Sequence, residues 1–166
     1  MSISLSDASL KTYRQLLPAS LAIMKKAEKY FTDEGANLND LAEMRLIEDM
    51  APLTFQVFSV VHHSLGAIDA LKTGEFAPPK MPENLSFNDL IDMLENAEEK
   101  LNLFSDEDIN SLSGKEVMFR MGQIEWAFTA EDFILSFSLP NFYFHVTTLY
   151  DPVSYTHLTL PTTLIV

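Results

Sequence analysis

Gln56, Ser59 and His63 lie three and four residues apart in the stretch APLTFQVFSVVHHSLGAIDALKTG, so on a helix they share one face. Ser138, Asn141, His145 and Thr148 repeat that spacing in SLPNFYFHVTTLY. Both stretches are otherwise apolar, as buried helices are. A buried polar side chain without a partner costs on the order of 1–3 kcal/mol. Two such stripes in one domain therefore point at each other or into a shared pocket. Pro140 adds to the polarity, because it cannot make the bond that would occupy the Ser136 carbonyl.

Three chemistries follow from these residues. In the first, His63 and His145 ligate a divalent metal, Zn, Ni or Fe, with Gln56 and Asn141 as auxiliary oxygen donors. Neutral imidazole is a common ligand in bundle interiors, and such a centre would activate water or a thiol. In the second, the same residues satisfy one another in a structural hydrogen-bond network within a non-catalytic binding or dimerisation module. In the third, an aromatic pocket of Tyr143, Phe144 and Trp126 takes a small molecule without metal. The plainer reading of Trp126 is a packing residue, and His62 reads as a core or surface histidine a quarter-turn off the stripe. Ser59 or Ser138 beside a histidine lacks a third triad member and oxyanion donors. Arg45 either clamps an anionic ligand or pairs with Glu48 or Asp49.

These side chains need rigid elements to hold them. Apolar residues recur with helical period at Leu10, Tyr13, Leu17, Leu21, Met24, Ala27 and Phe31, with Pro18 expected to kink or restart the helix. A short helix capped by Asn37 or Asn39 follows, and then a buried one from Pro52 to Gly74. The Pro-rich EFAPPKMPENL leaves little room for regular structure. Ser86 opens an amphipathic helix whose Asp92, Glu95, Glu98 and Glu99 face water. At EVMFRMGQIEWAF the period changes to two around Gly122, which predicts a small hairpin. Thr129 and Asp132 cap a last helix running to about Tyr150. The expected fold is all-α, a four-helix bundle with a small β-hairpin inserted before the last helix.

Composition narrows the partners. The chain has 166 residues, 11 basic against 24 acidic and a net charge of -13, which argues against nucleic acid and anionic membranes. It holds no cysteine, and its five glycines form no phosphate loop. The N-terminus lacks the basic and apolar regions of a signal peptide, and no apolar run would span a membrane. A cytoplasmic bacterial-type protein is expected.

At RLIEDMAPLTFQV (45–57) and LPNFYFHVTTLY (139–150) the chain resembles a domain-of-unknown-function family of bacterial and fungal proteins within the DinB/YfiT-like superfamily. MKKAEKY in the first helix is similar too, and the resemblance runs from about residue 3 to 150. It implies an up-down-down-up four-helix bundle, often a homodimer, whose superfamily members commonly bind a divalent metal through three histidines. Some are thiol-dependent S-transferases or isomerases. His63 matches the histidine of the second helix and His145 one of the last, whereas the usual partner one turn earlier is Asn141. The domain so defined covers residues 1–150. The remaining DPVSYTHLTLPTTLIV (151–166), where Pro152 is expected to stop the helix, resembles translated sequencing-adapter read-through from metagenomic assemblies, so His157 carries no functional weight.

Overall fold

Ser4 closes a capping box with Asp7 and starts α1 (Leu5–Ala8), and a break at Ser9 separates it from α2 (Leu10–Asp33). The computed structural model describes residues 3–154. Pro18 lies inside α2 and does not interrupt it, contrary to the expected kink or restart. Asn37 caps α3 (Leu38–Ala42) by accepting from the Asn39 amide.

The long helix expected from Pro52 is two helices, α4 (Leu53–His62) and α5 (Leu65–Thr73). The division falls at Ser64, whose backbone leaves the helical region (φ -111°, ψ -82°) and whose hydroxyl donates to the Val60 carbonyl at 2.7 Å and to Val61 at 3.3 Å. Gly74, at φ +78°, ends α5 in the left-handed conformation that glycine adopts without penalty.

The turn at Gly74 delivers β1 (Glu75–Phe76), a two-residue strand inside the segment expected to be irregular. A capping box at Ser86 then opens α6 (Phe87–Asn102), and Ser105 opens α7 (Asp106–Asn110). Strands β2 (Glu116–Met121) and β3 (Ile124–Thr129) form the anticipated hairpin around Gly122. β1 adds to it in parallel, with Phe76 opposite Phe119, so the hairpin is part of a three-stranded sheet.

Thr129 caps α8 (Ala130–Asp132), and the chain continues through a π-helical segment, Phe133–Ser138, into α9 (Leu139–Ser154). Within it the Leu139 amide bonds to the Ile134 carbonyl, five residues back. Pro140, with no amide hydrogen to give, follows immediately, and such wide turns often sit at functional sites. α9 does not stop at Pro152; it runs to Ser154 with Val153 buried. Residues 155–166, most of the expected tail and His157 with it, lie outside the described residues.

The protein is thus mostly helical with a small sheet. α2 packs on α6 and α9, and α4 packs on the same two helices. Tyr13, Phe87, Phe133 and Phe142 are the bulkiest fully buried side chains between them. Tyr13 and Phe142 meet edge to face with ring centroids 5.0 Å apart. No helix among the described residues is long and apolar enough to cross a membrane.

Candidate functional site

The α4–α5 break places His62 and His63 at a helix end, and α9 brings His145 opposite them. The His63 and His145 rings lie nearly parallel with centroids 5.8 Å apart, and His62 and His63 are 5.2 Å apart. All three line one cavity of about 360 Å³. Three of the chain's four histidines therefore share a single wall.

The rest of the lining is mainly aromatic. β1 inserts Phe76 flat against His62, centroids 4.2 Å apart at 17°. Phe119 from β2 and Phe137 from the π segment meet at 4.8 Å, and Trp126 from β3 sits 5.7 Å from Phe119. Pro78, Pro79 and Met81 close one side from the loop after β1. Phe55, Met121 and Trp126 are partly exposed where the cavity opens. Trp126, 53% exposed, is thus a rim residue and not the packing residue of the plainer reading.

The polar atoms are fixed by their partners. The Gln56 amide nitrogen donates to the Ala51 carbonyl at 3.1 Å, which leaves its oxygen facing His145. That oxygen accepts from His145 Nδ1–H at 2.9 Å. The neutral ring therefore carries its lone pair on Nε2. Asn141 donates to the Phe137 carbonyl at 2.7 Å, so its own oxygen makes no bond there. Ser138 donates to the His63 carbonyl at 2.7 Å and pairs with the Tyr13 hydroxyl at 2.9 Å. Since the serine proton goes to His63, Tyr13 is the donor in that pair. Among the described residues, His62 Nε2 and His63 Nδ1 are buried without a hydrogen-bond partner.

Burial keeps the three imidazoles uncharged at neutral pH. Desolvation, with a smaller contribution from its neighbours, lowers His63 to about 3 and His62 to about 4. His145 is also pushed down by desolvation.

Several residues singled out in the sequence do not face this cavity. Gln56 stands behind His145 as its orienting acceptor, with both amide atoms already bonded. Ser138 is buried behind the wall and donates to the His63 main-chain carbonyl, not to its ring, while Ser59 and Asn141 are on the wall. Thr148 is buried further along α9. Tyr143 and Phe144 point outward, 45% and 61% exposed, because α9 turns its opposite face to solvent there. Arg45 is not in the lining of this cavity; it donates to the Met50 carbonyl at 2.8 Å and lies 3.8 Å from Glu43, not against Glu48 or Asp49. His62, Phe76, Phe119 and Phe137 are wall residues that the helical stripes did not reveal.

A divalent metal does not fit this donor set. No group of three His, Cys, Asp or Glu side chains among the described residues is placed to hold one. Zinc-type sites take three or four converging protein ligands, and the His62, His63 and His145 rings do not converge as such a group. A second hollow of about 430 Å³ opens between Lys72, Leu103, Phe104 and Asp108, but it carries no imidazole and no unpartnered buried atom. The aromatic cavity is therefore the candidate site.

Comparison with known proteins agrees with this architecture. Residues 5–152 match the model of a family described as Domain of unknown function (DUF1993). No curated protein matches. The crystal structure of a DinB family member protein from Shewanella denitrificans superposes with a TM-score of 0.78 at 20% identity. The match covers 98% of this chain and 92% of that one, and at this identity it speaks for the fold.

Proposed function

From the premise that the chain belongs to the DUF1993 family, we propose that it is a small-molecule binding protein whose ligand enters the three-histidine cavity. The observation that carries this reading is the largely aromatic cavity of about 360 Å³ lined by His62, His63 and His145, with the His145 ring fixed from behind by Gln56. A concave, mainly apolar pocket with a few fixed polar groups is the usual form of a small-molecule site. The cavity volume matches a ligand of one or two rings.

On this reading the framework is the up-down-down-up bundle of four long elements, α2, α4–α5, α6 and α9, with the sheet as one wall of the site. The metal-activated chemistry of the wider superfamily is not needed. Gln56 orients the His145 ring from behind the wall, and Ser138 anchors the main chain at His63.

Thermal or urea unfolding tests the proposal with toluene as an apolar probe. A ligand at ten times its dissociation constant stabilises the folded state by about 1.4 kcal/mol. We expect a saturable stabilisation of that size with toluene and none with Zn²⁺ or Ni²⁺. Stabilisation by the metals and not by toluene would overturn the reading.

A further inference from the structure

Two polar positions on the cavity wall have a fixed sense. His145 offers the Nε2 lone pair, since its Nδ1–H is committed to Gln56. Asn141 offers its carbonyl oxygen, since its amide nitrogen is committed to Phe137. The Ser59 hydroxyl and the neutral rings of His62 and His63, each with one N–H, can either donate or accept. The positions whose sense the protein fixes, His145 Nε2 and the Asn141 oxygen, are therefore acceptors.

Charge is missing as well. No Lys, Arg, Asp or Glu side chain lines the cavity. A carboxylate or phosphate would meet no cation there, inside a protein of net charge -13. An ammonium group would find aromatic faces but no counter-ion, and would lose its hydration on entry. What remains is an uncharged ligand that brings its own donor.

The apolar part of the wall sets the shape. Phe76, Phe119 and Phe137 form a cluster with centroid separations of 4.8 to 6.3 Å, spacings at which rings pack against one another. A planar ring extends such a cluster better than a branched chain does. The partly exposed Trp126 and Phe55 at the mouth would cover its outer edge.

We propose that the ligand class is an uncharged planar aromatic molecule bearing a hydroxyl donor, a phenol in its simplest form, with its ring on the phenylalanine cluster and its hydroxyl donating to His145 Nε2. This rests on the cavity being the binding site, as argued above. Gln56 then selects the ligand indirectly, because its oxygen holds the proton on Nδ1 and so makes Nε2 an acceptor.

Four probes of similar size separate the classes: 4-methylphenol, toluene, benzoate and benzylamine, titrated calorimetrically into the intact protein at pH 7. The hydroxyl is expected to make 4-methylphenol about tenfold tighter than toluene. Both charged probes are expected to bind at least tenfold more weakly than 4-methylphenol. In His145→Leu the 4-methylphenol preference over toluene should fall to near unity. The ratio compares two ligands on the same folded molecules, and the wild-type comparison stands if that variant fails to fold.

Equal binding of toluene and 4-methylphenol would overturn the phenol assignment and leave the cavity reading intact. Tighter binding of benzoate or benzylamine would overturn the assignment in favour of a charged ligand. Failure of all four would overturn both.

Discussion

Acidification from pH 7 to pH 5 is expected to cost the protein on the order of 2 kcal/mol through His63 alone. In the unfolded chain this imidazole titrates near 6.5, whereas in the folded protein desolvation holds it near 3. Between those values the unfolded state binds the extra proton and the folded state does not, so stability falls as pH falls. Each unit of difference is worth about 1.4 kcal/mol. His62, lowered to about 4, adds in the same direction, but by less because water reaches part of its ring. His145, also lowered, contributes with the same sign.

The window of pH 7 to 5 isolates the histidines. Asp89 and Asp108 are held below the usual carboxylate range by hydrogen bonds from Ser86 and Ser105, so they lose their stabilising charge only at lower pH. Urea midpoints at pH 7, 6 and 5 give the measurement, with His63→Leu expected to flatten the slope. A stability independent of pH across that window would show that the imidazoles are not buried uncharged.

Ser138→Ala is expected to destabilise the fold by about 2–4 kcal/mol, a large effect for the loss of one hydroxyl. The substitution strands two buried groups, the Tyr13 hydroxyl and the His63 carbonyl, each costing on the order of 1–3 kcal/mol. Tyr13 and Ser138 are both fully buried, which leaves water no easy access to replace the bond. Tyr13→Phe should cost less, because Ser138 keeps its bond to His63. The double variant should cost less than the sum of the singles, the coupling expected of groups in one chain of hydrogen bonds. Strict additivity, measured by chemical unfolding, would mean the Tyr13–Ser138–His63 chain is not formed.

Much of the framework is legible in local sequence. The Ser86 helix start, the Asn37 cap and the Gly122 turn each rest on residues within three or four positions of one another. Helical spacing also placed Gln56, Ser59 and His63 on one face and Ser138, Asn141 and His145 on another. What spacing could not give is which members of a stripe face the cavity and which stand behind it. That depends on the carbonyls of Ala51 and His63, which are backbone groups exposed by a helix start and a helix break.

The aromatic wall was hidden for a different reason. Phe76 belongs to a two-residue strand that pairs, among the described residues, with a strand 43 positions away in register, Phe76 against Phe119, and no local pattern marks such a pairing. The π segment shifts the helical phase between Phe133 and Asn141, so a fixed 3.6-residue period misplaces Phe137. His62 was set aside because it lies off the stripe of a continuous helix. The break after it removes that objection and lets Phe76 stack on it.

The central claim, that the three-histidine cavity receives a small ligand, is tested most directly by NMR of the imidazole rings during titration with toluene. The account predicts saturable shifts of the ring resonances of His62, His63 and His145 together, with one dissociation constant. Shifts confined to residues around Lys72, Leu103 and Asp108, with the imidazole signals unmoved, would contradict it.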